Sequence, residues 1–158
     1  MLLPPLDAAR QDLMDAPLDR RKGLGQVRYL YIAVGGALGA LARWGLAAAV
    51  WPRAEFPAGI LIVNLSGSLL LGWLFPLTLQ SAMHPELRLG VVTGFFGAFT
   101  TFSTWLAGTL ALATGAHVGL AVLYLAASLL GGVTLTLAGM AVARWMAQRA
   151  AGGAARAG

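Results

Sequence analysis

The chain has 158 residues, 58% hydrophobic and 11% charged, with a mean hydropathy of +0.74. Soluble domains carry about 25% charged residues, so this composition excludes an ordinary water-soluble fold and fits one built for lipid. The net charge of +5 is spread over the ends and loops, which is a membrane-orientation pattern and not a nucleic-acid stripe; the absence of cysteine excludes disulfides, thiolate metal sites and cysteine nucleophiles.

Residues 1–26 form a separate region that sets Asp7, Asp12, Asp15 and Asp19 against Arg10, Arg20, Arg21 and Lys22, with Pro4, Pro5 and Pro17 among them. No apolar stretch follows the charges within it, so a cleavable signal is not expected. The reading is a mobile cytosolic tail, with a surface-lying amphipathic helix through Leu6, Leu13 and Met14 as the alternative. Residues 27–147 form the membrane domain of an all-α protein. About 20 apolar residues cross the hydrocarbon core, and four stretches reach that length: 27–50, which ends at Trp51-Pro52, 58–79 after Pro57, 87–113 after Pro85, and 118–146. The connections are short, which makes sequential helices antiparallel neighbours. The third stretch alone is expected to be interrupted, near Gly97 to Thr101. Residues 148–158 form the C-terminal tail, in which Ala150 to Gly158 are rich in Ala and Gly and are expected to fray.

Small residues recur in the spans. Gly35 and Gly39 stand four apart and predict close approach of another helix, within one subunit in preference to a dimer seam. No Asp or Glu falls inside a span, which argues against a proton-coupled exporter that relies on a membrane carboxylate. Arg43 is the one ionisable side chain well inside; His84 and His117 fall in or beside loops and are expected to be solvated. With four spans, both tails and the second loop share a side. That side collects Arg20, Arg21, Lys22, Arg28, Arg88, Arg144, Arg149 and Arg156, against Arg53 alone on the other. The bias predicts both termini in the cytoplasm, and the localisation expected is the cell (inner) membrane, multi-pass.

The polar groups left in the spans are nearly all neutral donors. Asn64 lies in Val63-Asn64-Leu65-Ser66-Gly67-Ser68, and Tyr124 and Ser128 share a helix face with Gly132 one turn on. The third span carries Gly94-Phe95-Phe96-Gly97-Ala98-Phe99-Thr100-Thr101-Phe102-Ser103-Thr104-Trp105. A path of neutral donors replaces a small anion's hydration without trapping it. Phe102 and Trp105 are three apart, and aromatic edges carry partial positive charge. Each feature alone also reads as packing: a span Asn bonds a neighbouring helix, a helical Ser or Thr bonds back one turn, and Arg43 snorkels or caps carbonyls.

Jointly, those second- and third-span motifs with Gly35-Gly36-Ala37-Leu38-Gly39-Ala40-Leu41-Ala42-Arg43 closely resemble the CrcB/Fluc fluoride-channel family over residues 29–146. The resemblance implies a passive fluoride-selective channel, not an enzyme, in a dimer of two antiparallel subunits with two pores. It implies a structural sodium ion at the dimer centre, on the backbone carbonyls of Gly97 and Thr100. The implied fluoride path is Asn64, Phe102, Ser103, Thr104, Trp105, Tyr124 and Ser128, with Arg43 open between anion attraction and structure. Fluoride, sodium, membrane lipid and a second subunit are the implied partners, with no nucleic acid. Trp105 stands where the family pattern has a second phenylalanine; the larger ring either narrows the path or offers its indole N–H. The eight-to-one charge bias leaves the partner open between an identical chain and an oppositely oriented homologous subunit. The alternatives weighed are a small proton-coupled multidrug exporter and a non-conducting membrane assembly partner.

Overall fold

A computed structural model describes the backbone of residues 18–50, 56–80 and 83–157, and the side chains of residues 25–50, 56–79 and 83–149. The tail through residue 17, with its candidate surface helix, and the Arg53 loop lie outside the described residues. All regular structure among the described residues is helical. Helix α1 spans Leu18–Ala49, α2 Ala58–Gln80 and α6 Val118–Ala157. Between α2 and α6 the chain forms α3, Pro85–Leu89, then a π-helical segment, Gly90–Phe95, then α4, Phe96–Phe99, and finally α5, Phe102–Thr114. Among the described residues four stretches are long and apolar enough to cross a membrane: Gly25–Ala49, Ala58–Leu79, Pro85–Thr114 and Val118–Arg149.

The core is small and the outer surface is greasy, the inverse of a soluble fold. Tyr29, Leu30, Val34, Leu38, Leu41 and Trp44 of α1 all point outward, where acyl chains supply the apolar environment. Two helical ends differ from expectation. Helix α1 starts at Leu18 and α6 runs to Ala157, because hydropathy marks the edge of the lipid and not the end of the hydrogen-bond ladder. Alanine, the best helix former, carries α6 through the stretch expected to fray.

Packing is governed by backbone approach. Helix α1 lies along the π-helical segment and α2 along α6. A methyl added at Gly35 would collide with the Gly90 carbonyl, one at Gly39 with the Phe95 carbonyl, and one at Gly94 would come 2.6 Å from the Ile32 carbonyl. The Gly35/Gly39 pair therefore serves contact within the subunit. Across the same contact Arg28 reaches Glu86 at 3.5 Å, and exposed His84 places Nδ1 2.6 Å from the other Glu86 oxygen. This carboxylate sits at the first turn of its helix and not in the middle of a span.

Beyond Phe99 two residues are extended, Thr100 (φ −80°, ψ 152°) and Thr101 (φ −145°, ψ 123°). Gly97 and Ala98 are helical, so the non-helical residues are only these two threonines. Helix α5 ends in a tight turn in which the His117 N–H reaches back to the Leu112 carbonyl at 3.0 Å. Ala116 holds the left-handed position there, at φ 62°, where a glycine is more usual.

Candidate functional site

Asn64 of α2 faces the extended link and pairs with one residue in both directions. Its Nδ2 donates to the Thr101 carbonyl at 3.0 Å, and the Thr101 N–H donates to its Oδ1 at 2.9 Å. Thr101 is the N-cap of α5, so its carbonyl already begins that helix's ladder while its N–H has lost its helical acceptor; the Asn64 amide gives the N–H an acceptor and the carbonyl a second donor. The Thr101 hydroxyl then caps α5 by accepting the Thr104 N–H at 3.3 Å, while donating to the Thr104 hydroxyl at 3.0 Å. Thr100 turns the other way, its Oγ1 donating to the Phe96 carbonyl at 2.9 Å. Gly67, one turn past Asn64, lets α2 lie against this link: a methyl there would be 2.5 Å from Thr100 Cγ2.

A cavity of about 320 Å³ opens beside the link, between α2, α5 and α6. Of the residues expected to line a path, it brings together Asn64, Phe102, Trp105 and Ser128, with Thr100. Among the described residues no charged side chain lines it. The Phe102 and Trp105 rings tilt against each other with centroids 5.3 Å apart. Phe102 is 69% exposed and Trp105 is 7% exposed, so the pair runs from the outer face of the subunit into its interior.

Other expected residues lie elsewhere. Tyr124 is fully buried in a cluster with Trp105, Leu112 and Ala121, its ring edge-on to Phe56 at 5.5 Å, and it does not line the cavity. Ser103 and Thr104 are exposed beside Thr101. Gly97 is also exposed, with nothing near the position a side chain would occupy. Arg43 is half-buried on α1, away from the cavity, and makes no ion pair with the described residues. Sequence reasoning passed over Ser68 and Thr136, which do line the cavity. The Thr136 hydroxyl lies 2.9 Å from the Gly132 carbonyl and 3.3 Å from that of Ser68. The signal was present: Ser68 is four residues past Asn64, and Thr136 continues the four-residue spacing of Tyr124, Ser128 and Gly132.

Three donors around this site are buried without a hydrogen-bond partner among the described residues: Trp105 Nε1, Tyr124 Oη and Ser128 Oγ. Folded proteins rarely leave such groups unpaired, because each costs about 1–3 kcal/mol. Each of these groups can donate, and the indole N–H can only donate, so together they offer a surface that an anion satisfies.

A family model described as "CrcB-like protein, Camphor Resistance (CrcB)" matches residues 30–140, which takes in α2, the link, α5 and most of α6. The chain belongs to the CrcB family. Among its CrcB relatives, a protein of Moorella thermoacetica named "Fluoride-specific ion channel FluC 1" is 48% identical over 120 residues, covering 73% of this chain and 85% of the relative. A "Fluoride-specific ion channel FluC" of Thermus thermophilus is 46% identical over 118 residues, 73% of this chain and 93% of its own length. The protein of that name from Acidobacterium capsulatum is 41% identical over 121 residues, 73% and 95%. With the four apolar spans, this makes the chain a multi-pass membrane protein.

Proposed function

We propose that this chain is a passive fluoride channel that lets cytoplasmic fluoride leave the cell across the inner membrane, with both termini in the cytoplasm. Hydrogen fluoride enters as a neutral acid and dissociates at neutral pH, and the anion does not recross lipid. A passive exit is sufficient when the cell interior is negative and loaded, so no catalytic group is needed. The observation that carries the reading is the set of buried unpaired donors, Trp105 Nε1, Tyr124 Oη and Ser128 Oγ. They lie in and behind a neutral cavity that Phe102 lines on its outer side, and they replace the ion's water while the ring edges of Phe102 and Trp105 stabilise its charge. In this reading the indole of Trp105 adds a donor where the family pattern has a plain phenyl ring. The multidrug-exporter alternative is disfavoured by the place of Glu86, paired with Arg28 at a helix end.

The functional unit in this reading is an antiparallel dimer. The exposed residues Gly97, Phe102, Ser103 and Thr104 form the face that a second subunit covers, and the Thr100–Thr101 interruption lies at the centre. A sodium ion fits there on backbone oxygens, the ligands a hard cation prefers. In an uninterrupted helix the carbonyls of Gly97 and Thr100 would accept the N–H groups of Thr101 and Thr104; here those N–H groups go to Asn64 and to the Thr101 hydroxyl. Gly97 and Thr100 would hold the ion and gain from it the pairing that the helix does not supply. The test is an electrode measurement on liposomes containing this chain alone: fluoride is released and chloride retained, and Phe102→Ile stops the release in protein that still assembles. Equal release of both ions defeats the selectivity claim.

A further inference from the structure

We infer that Asn64 and Thr101 are positioning residues that hold the Gly97 and Thr100 carbonyls out of helical hydrogen bonding and so keep them available to a cation. The inference rests on the sodium reading above and adds which side chains make that site. A carbonyl already accepting a well-aligned N–H has lost much of its capacity for a metal, whereas one with no donor keeps both lone pairs. Two N–H groups decide the matter, and each is diverted by one side chain. Asn64 Oδ1 takes the Thr101 N–H at 2.9 Å, and Asn64 Nδ2 anchors the same residue by its carbonyl at 3.0 Å. Thr101 Oγ1 takes the Thr104 N–H at 3.3 Å. With Asn64 gone, Thr101 is free to fall back into the helix and pair with Gly97. With the Thr101 hydroxyl gone, Thr104 is free to pair with Thr100. Asn64 commits its carbonyl oxygen and one amide hydrogen to Thr101, which leaves a single hydrogen for the cavity it lines. Its main office is therefore toward the backbone of the link.

The readout is the apparent sodium dissociation constant, called the midpoint below, fitted to the rise of the purified full-length protein's melting temperature with sodium, with potassium or N-methylglucamine holding ionic strength constant. General destabilisation lowers the melting temperature at every sodium concentration without moving that midpoint, whereas a pore role alone lowers fluoride flux. Asn64→Ala and Thr101→Val are each expected to raise the midpoint about fivefold, the equivalent of one net hydrogen bond. Thr101→Ser, which keeps the hydroxyl, is expected to hold the wild-type midpoint, as is Ser128→Ala, which touches only the cavity. If Asn64→Ala does not fold, the contrast between Thr101→Val and Thr101→Ser makes the same comparison. Wild-type melting that ignores sodium removes the cation site and this inference with it. A sodium-responsive wild type with unmoved midpoints in Asn64→Ala and Thr101→Val removes this inference alone.

Discussion

Replacing Gly67 by alanine tests whether the site depends on how closely α2 approaches the link. The added methyl would stand 2.5 Å from Thr100 Cγ2 and 3.2 Å from Phe99 Cδ1, where carbon–carbon contacts settle at about 3.5–4.0 Å. The shortfall is about 1 Å, and Thr100 is not free to swing aside because its hydroxyl is held by the Phe96 carbonyl at 2.9 Å. Helix α2 must retreat. Overpacking of this kind costs about 1–3 kcal/mol, and alanine's advantage over glycine in a helix returns about 1 kcal/mol, so the net loss of stability is about 0–2 kcal/mol. The functional loss is larger. Asn64 is one turn from Gly67 and holds Thr101 by bonds of 2.9 and 3.0 Å, which a retreat of about 1 Å carries past hydrogen-bonding range. Fluoride release from liposomes is expected to fall about tenfold or more, the equivalent of one to two net hydrogen bonds, with the melting temperature only modestly reduced. Gly45→Ala is the control: nothing lies within 4 Å of its new methyl, so it is expected to gain up to about 1 kcal/mol and to conduct normally. Wild-type flux in Gly67→Ala, or equal loss in Gly45→Ala, refutes the reasoning.

Deleting hydroxyls that have no partner among the described residues separates conduction from folding. Ser128→Ala and Tyr124→Phe are each expected to stay within about 1 kcal/mol of wild type in stability, because no hydrogen bond among the described residues is lost. Flux is expected to fall further for Ser128, which lines the cavity, than for Tyr124, which lies behind Trp105; the reverse order in the liposome assay would misplace the path. Ala116→Gly is expected to raise stability by about 1 kcal/mol by relieving a left-handed alanine, with flux unchanged; a lower melting temperature would contradict the turn geometry.

The spans were legible because lipid leaves a chain little choice: long apolar runs between prolines and charges can only be helices. The Gly35/Gly39 spacing likewise announced a close neighbour. What the sequence hid is local and three-dimensional. The π-helical segment at Gly90–Phe95 has no periodic signature, since it arises where α1 and the third stretch press backbone to backbone. The glycines at 94 and 97 look like the natural breakers, yet both stay helical; the extended residues are β-branched threonines, and Thr101 is held by an asparagine 37 positions away. Tyr124 shares a helical face with Ser128, but packing against Phe56 and Trp105 draws it into the core. Ser68 and Thr136 were passed over although their spacing follows that of Asn64 and Ser128.

The two bonds between Asn64 and Thr101 join one turn of α2 to the two peptide units that flank a single residue, and both ends belong to the same polypeptide. The kinked contour is thus cast inside a single chain. Were a second copy to dock on it, as proposed above, it would meet a finished mould, and little of the ordering cost that burdens flexible partners would fall on the moment of assembly.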